Sequence, residues 1–249
     1  AANDNGTPGS LTVRLIDDSS GVVTTGSVVN VTTSGGTTRY SNSSNAVTLG
    51  TSVSPVNDAP TITGPITGTT YTENAAAVIL ASGGVVADAA DSPANFNGGT
   101  LRASFAGYQA GDVLQISTNG TVTLSGGNVL VSGTIIGTYA GGTGSDLVIT
   151  LNSNATAARI NTVLQRLAFQ STSDDPTVNG TAVTRAQTIT FDDGGNTGSG
   201  GSLNSQLTGT ITITPAQDAP VITPAGGAAS YTENTVAITV DNTVTVTDA

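Results

Sequence analysis

The sequence contains no cysteine, histidine, methionine, tryptophan or lysine, and its six basic residues are all arginine. Without cysteine the chain has neither disulfides nor thiolate metal ligands. Nucleophiles activated by histidine and mechanisms that need a lysine are excluded as well. A two-carboxylate glycosidase is formally open, but it would need cleft-lining aromatics, which are scarce in this chain. We therefore predict that the protein is not an enzyme.

The charge is strongly one-sided, with a net value of −11. Nucleic acids and anionic membranes bind clustered cations, so neither is expected as a partner. No apolar run approaches the roughly 18 residues of a membrane span, and we expect no membrane insertion. An acidic chain without disulfides suits a protein that is neutralised in part by divalent cations.

The residues that dominate the sequence favour strands and turns. Threonine and valine favour strands, while glycine and asparagine supply turns. Short apolar or alternating segments separated by glycine-rich turns recur between residues 113 and 214, for example at 113–117, 121–124, 128–132, 147–151 and 209–214. The pattern predicts an all-β fold built of tandem antiparallel β-sandwich modules.

One segment has helical periodicity. Ala157, Ile160, Val163, Leu164 and Leu167 form an apolar stripe at helix spacing. Asn154 or Ser153 is the predicted N-cap. We expect one short helix that packs on the complete module, followed by a strand that opens at Phe169.

A repeat of 160 residues organises the chain. The only two glutamates, Glu73 and Glu233, both lie in the tetrapeptide Tyr-Thr-Glu-Asn, and each follows an Asp-Ala-Pro and precedes a further aspartate at the same spacing. Such self-similarity indicates modules. The predicted boundaries are 1–56 for the end of one module, 57–216 for a complete module and 217–249 for the start of the next.

The recurring acids lie where one module meets the next. Calcium binds six to eight oxygens from carboxylates, amides and backbone. Carboxylates brought together without a cation would repel each other, so their registration predicts a calcium site at each joint. Asp174-Asp175-Pro176 is more typical of a turn, and the Asp17-Asp18 and Asp192-Asp193 pairs fit either a turn or a metal site.

Three motifs, Asn57-Asp58-Ala59-Pro60, Tyr71-Thr72-Glu73-Asn74 and Val86-Ala87-Asp88, resemble those of cadherin-like repeats in very large bacterial adhesins and other secreted surface proteins. The resemblance implies that calcium at the first joint is bound by Asn57, Asp58, Glu73, Asp88 and Asp91. At the second joint the implied ligands are Asp218, Glu233 and Asp248. The preceding module of each joint would contribute an aspartate pair, Asp17 and Asp18 at the first joint and Asp192 and Asp193 at the second. Proline at positions 55 and 215 and Gln217 depart from the family linker, which implies fewer or weaker ions than in animal cadherins.

The expected function is mechanical. The resemblance implies a structural or adhesive repeat region of a secreted or cell-surface protein, in which calcium stiffens a rod, stalk or filament body. Its partners would be adjacent repeats of the same chain or identical subunits. Two alternatives are open: a filament subunit completed by strand exchange between chains, and a module that binds a surface glycan or receptor through residues 19–55.

Overall fold

The structure is a computed structural model that describes residues 9–247 apart from 18, 20, 23, 25, 27–30, 43, 45, 51, 67, 68, 92, 93, 225, 226 and 242. The described structure is all-β with a single short helix, as predicted. Its contacts divide the chain into two compact units, residues 1–56 and 57–249. No helix in the described part of the chain is long and apolar enough to cross a membrane.

Among its described residues, the first unit has one antiparallel pair of strands. Strand β1 (Leu11–Val13) pairs with β2 (Val47–Leu49), and Leu11 lies opposite Leu49. Arg39 donates hydrogen bonds to the carbonyls of Asp17 and Gly21 and so fastens part of the connection between the two strands.

The second unit carries most of the strands. They are β3 (Thr61–Thr63), β4 (Thr69–Thr72), β5 (Val78–Ile79), β6 (Val85–Ala87), β7 (Thr100–Phe105), β8 (Asp112–Ile116), β9 (Val122–Ser125), β10 (Asn128–Val131), β11 (Thr134–Gly141), β12 (Leu147–Leu151), β13 (Leu167–Ser171), β14 (Thr184–Asp192), β15 (Asn204–Thr214), β16 (Val221–Thr223) and β17 (Thr245–Thr247), with helix α1 (Ala157–Leu164) between β12 and β13.

An eight-stranded sheet with the order β4-β15-β14-β7-β12-β11-β10-β9 is the largest. All its neighbours are antiparallel except β4 and β15, which run parallel. A three-stranded sheet, β5-β13-β8, and the pair β3-β6 complete residues 57–216. Side chains from all three sheets and from α1 form one buried core, in which Tyr71, Phe169 and Phe105 meet edge to face.

The helix differs from its prediction at both ends. Thr156, not Asn154 or Ser153, is the N-cap, and its hydroxyl accepts a hydrogen bond from Arg159 N. Asn154 instead donates its amide to the carbonyl of Ile135. The helix ends at Leu164, and Leu167 rather than Phe169 opens β13 because Leu167 pairs with Ile116 in the three-stranded sheet.

The 160-residue repeat is visible in the backbone. Strand β3 pairs with β6 so that Ile62 lies opposite Val86, and β16 pairs with β17 so that Ile222 lies opposite Val246. The asparagines that end the two Tyr-Thr-Glu-Asn motifs, Asn74 and Asn234, have φ angles of 60° and 63°. The same residues therefore fold in the same way in both copies.

Burial distinguishes the two copies. Tyr71 is fully buried, whereas its counterpart Tyr231 is 57% exposed. Ile62 is 5% exposed and Ile222 65%. In residues 57–216 this face is covered by β13, β15 and α1, and the described residues of 217–249 supply no such cover.

Gly209, in the middle of β15, lies very close to the segment between β3 and β4. A Cβ atom at this position would lie 2.1 Å from Ile66 Cγ2 and 2.6 Å from the Ile66 carbonyl oxygen. The segment between β3 and β4 can therefore cover β15 only where a side chain is missing.

We predict that Gly209→Ala destabilises the protein by about 2–3 kcal/mol, because the added methyl group must displace Ile66. Urea unfolding measures the change in free energy. Gly107→Ala is the matched control: a Cβ there meets no atom within 4 Å, so its effect should stay within about 0.5 kcal/mol. Equal effects of the two substitutions would contradict the packing described.

Candidate metal sites

Three segments meet at the end of the module where β14 stops. The linker residues Asn57 and Asp58 precede β3, Asp88 and Asp91 follow β6, and Asp193 follows β14. Carboxylate oxygens of Asp88, Asp91 and Asp193 all lie within 4.8 Å of one another. We call these five residues the entry cluster.

Hydrogen bonds fasten the linker to the strand ends. Asn57 donates its backbone N–H to Ser199 O at 2.8 Å and its Nδ2 to Asp193 Oδ2 at 2.9 Å. The backbone N–H of Asp58 donates to Asp91 Oδ2 at 3.0 Å. The position of the linker is therefore set by the same carboxylates that form the cluster.

Gly99 allows β7 to begin beside the chain segment that carries Asp193. A Cβ at Gly99 would lie 2.4 Å from the carbonyl oxygen of Asp192. Asp193 Oδ1 in turn accepts hydrogen bonds from the backbone of Gly195 and Leu203, at 2.8 and 3.0 Å. These contacts fix the orientation of its carboxylate.

The entry cluster leaves buried oxygens without protein partners. Among the described residues no donor reaches Asn57 Oδ1, Asp88 Oδ1 or Asp91 Oδ1. Asn57 and Asp91 are 5% and 1% exposed. A buried acceptor without a partner costs about 1–3 kcal/mol, and more when it is charged. Three such oxygens in one cluster could serve as ligands of a cation.

The electrostatics of Asp88 agree with this arrangement. Burial, followed by repulsion from Asp91, Asp193 and Asp58, raises its pKa from 3.8 to about 6. Desolvation and like charges both favour the neutral acid. A bound divalent cation would reverse the balance and keep the carboxylate ionised.

A second acidic group, the exit cluster, consists of Glu73, Asp174 and Asp218. Their ligand atoms also lie within 4.8 Å of one another. Glu73 is 4% exposed, and its Oε2 accepts a hydrogen bond from Ala216 N at 2.8 Å. No described residue donates to Glu73 Oε1 or Asp218 Oδ2. Here too an acidic side chain holds the linker and keeps a buried oxygen free of protein partners.

The two clusters lie at opposite ends of the module. Glu73 follows β4, which runs parallel to the last residues of β15, and its N–H donates to Thr214 O. Asp193 follows β14 at the other end of the same hairpin. The 11 residues of β15 span about 35 Å. Each cluster thus holds a different linker.

This arrangement corrects the predicted grouping. Glu73 belongs with Asp218, not with Asn57, Asp58 and Asp88, because β4 carries it to the far end of the module. Asp193 belongs with Asp88 and Asp91 of its own module rather than with the next joint. Glu233, which was assigned to the second joint, is exposed and joins neither cluster.

Two of the remaining predicted ligands, Asp192 and Asp17, lie outside the clusters. Asp192 Oδ1 accepts a hydrogen bond from Gly194 N. Asp17 Oδ1 accepts from Ser19 N, and this bond lowers the pKa of Asp17. Both therefore act as turn residues, and neither joins an acidic group in the described part of the chain. Asp18 and Asp248 lie outside the described residues.

Asp174 is the cluster member that the sequence pattern did not single out. Asp174-Asp175-Pro176 was predicted to form a turn, and it does: Asp175 accepts hydrogen bonds from Thr177 N and Asn179 N. The turn also brings Asp174 to Glu73. The repeat gave no signal, because the position 160 residues after Asp174 lies beyond the 249 residues compared.

The donor set of both clusters is oxygen only. Carboxylates and one amide carbonyl suit a hard cation such as calcium or magnesium and not a soft transition metal. Comparisons with protein-family models, with curated proteins and with solved structures give no match.

We predict that Asp193→Asn lowers the calcium affinity of the entry cluster at least tenfold, because the substitution removes a charge but keeps the hydrogen-bond acceptor. Asp192→Asn, one residue away and outside the cluster, should leave the affinity unchanged. Titration calorimetry of the two variants makes the comparison. Equal losses of calcium affinity in the two variants would indicate a general effect of net charge and would contradict a specific site at the entry cluster.

We also predict a characteristic pH dependence from Asp88. Its pKa is higher in the folded state than in the unfolded state, so protonation stabilises the fold, and this stabilisation is lost as the pH rises through about 6. In chelator, the melting temperature should fall between about pH 4 and pH 6, the interval between the unfolded and folded pKa values of Asp88, and calcium should offset the fall. Asp88→Asn should weaken this dependence; an unchanged profile would contradict the assignment.

Proposed function

We propose that this chain is a repeat region of an extracellular or cell-surface protein, in which calcium at the entry and exit clusters fixes the angle between consecutive modules. The supporting observation is the set of buried oxygens without protein partners at both ends of residues 57–216. Each set includes a linker residue, Asn57 at one end and Asp218 at the other.

The linker residues explain how a cation would act on the joint. Asn57 and Asp58 are bonded to Asp193 and Asp91, and Ala216 is bonded to Glu73. A cation bound by these carboxylates would neutralise their repulsion and tie the linker to the rigid ends of the sheets. Without the cation, the same charges would favour separation of the linker from the strand ends.

The proposal includes a cadherin-like β-sandwich module. It is supported by the joint motifs, by the antiparallel sheets and by the common core that they enclose. Extracellular modules bind calcium with dissociation constants of about 10⁻⁴–10⁻³ M. Such sites would fill on secretion, so the rod would stiffen outside the cell. Neighbouring repeats are the proposed partners, and catalysis has no part in the proposal.

We predict that chelation shortens the average particle and broadens its distribution of shapes. Small-angle scattering of the whole chain should give its largest maximum dimension in about 10 mM calcium, roughly 10–100 times the expected dissociation constant. Calcium at that concentration should also stabilise the fold by about 1–3 kcal/mol.

Asp91→Asn is the variant for comparison, because it removes the charge of the most deeply buried entry-cluster carboxylate. Its dimensions should respond less to calcium than those of the unmodified chain. A maximum dimension that does not change on chelation of the unmodified chain would overturn the stiffening mechanism.

A further inference from the structure

We propose that the buried ion pair between Arg185 and Asp112 is a positioning device that holds Asp174 beside Glu73 and so presets the exit cluster for its cation. This inference rests on the proposed function of that cluster. It assigns a role to two charged residues that touch neither linker.

The ion pair joins two sheets inside the module. Asp112 opens β8 of the three-stranded sheet, and Arg185 lies near the start of β14 in the eight-stranded sheet. Arg185 Nε donates to Asp112 Oδ2 at 2.7 Å and its Nη2 to Oδ1 at 3.3 Å. Asp112 is fully buried and Arg185 is 2% exposed.

The guanidinium group also binds the segment that carries Asp174. Its Nη2 donates to the carbonyl of Pro176 at 2.7 Å, and its Nη1 donates to the carbonyl of Ala182 at 2.6 Å. Arginine suits this task because its planar fork presents five donors in fixed directions. The turn that follows Asp174 is thereby attached to the start of β14.

The other side of Asp174 is attached to the residue before Asp112. The N–H of Thr172 donates to Gly111 O at 2.8 Å, and a Cβ at Gly111 would lie 2.5 Å from Ser173 N. Asp174 thus lies between two anchors, one made by the Arg185 guanidinium at Pro176 and the other by the backbone of Gly111, next to Asp112. Its own side chain is exposed, so these anchors, and not its packing, place it next to Glu73.

An apolar pair could fill the same volume. Replacing a buried ion pair by apolar residues of similar size is often neutral or stabilising, whereas removing one partner strands a charge. The double variant Arg185→Met/Asp112→Leu therefore separates the packing role of the pair from its role in positioning Asp174. It can keep the core packed, but it loses the hydrogen bonds to Pro176 and Ala182.

The experiment measures calcium binding to the whole chain by titration calorimetry, with Asp91→Asn included to weaken the entry cluster. The double variant should lower the affinity of the exit cluster about tenfold. With Asp174→Asn in place of Asp91→Asn, the double variant should leave the affinity of the entry cluster unchanged. Arg185→Lys should give an exit-cluster affinity between those of the unmodified pair and the double variant, because lysine can pair with Asp112 but lacks the planar guanidinium group that reaches Pro176 and Ala182.

Thr177→Val provides a second measurement if the double variant does not fold. The Thr177 hydroxyl bonds Asp175 Oδ1 at 2.9 Å and accepts from Gly180 N at 3.1 Å. Its loss loosens the turn without any change in charge, and we expect the affinity of the exit cluster to fall two- to threefold.

Unchanged affinity of the exit cluster in a folded double variant, or in Thr177→Val when the double variant does not fold, would overturn the positioning role. An equal loss at the entry cluster would also overturn it, since the effect would then be a general one on the module. Absence of calcium binding by the unmodified chain would instead overturn the proposed function on which this inference rests.

Discussion

The burial of carboxylate oxygens without protein partners is the constraint on which this structure depends. At each end of residues 57–216, buried carboxylates accept hydrogen bonds from the linker: Asp91 and Asp193 at one end and Glu73 at the other. Repulsion and desolvation oppose this arrangement, and the raised pKa of Asp88 reports both effects. The cost can be offset by protonation or by a cation. In the proposed calcium sites, binding of the cation offsets the cost of carboxylate burial and also fixes the joint.

Comparison of the two copies of the repeat distinguishes the backbone conformation, which the local sequence determines, from burial, which depends on the surrounding core. The paired strands and the left-handed asparagine recur at a spacing of 160 residues, because turn chemistry and strand alternation are encoded within each copy. Burial does not recur: Tyr71 bonds the carbonyl of Ser171 in a closed core, while Tyr231 is exposed. The motif therefore specifies the shape of this segment, and the sheets packed against it supply the stability.

Much of the fold was predictable from the sequence, and the grouping of the ligands was not. The alternation at 147–151 predicted β12 with its observed bounds, and the glycine pair 126–127 closes the β9–β10 hairpin with positive φ angles. Spacing along the chain could not show that β4 runs parallel to β15 and so carries Glu73 away from Asp58. Leu167 continued the helical stripe, but pairing with Ile116 placed it in a strand. Asp174 was recognised only as a turn residue, because nothing in its local sequence shows that it lies beside Glu73, 101 residues earlier in the chain.

The most direct test of the central claim is a crystal structure of the chain grown with calcium, with anomalous scattering used to locate the metal. The account predicts a calcium peak at the entry cluster, at about 2.3–2.6 Å from Asp91 Oδ1 and from oxygens of Asn57, Asp88 and Asp193. A map without a metal peak in saturating calcium, in which these oxygens are bonded only to water or share protons, would contradict it.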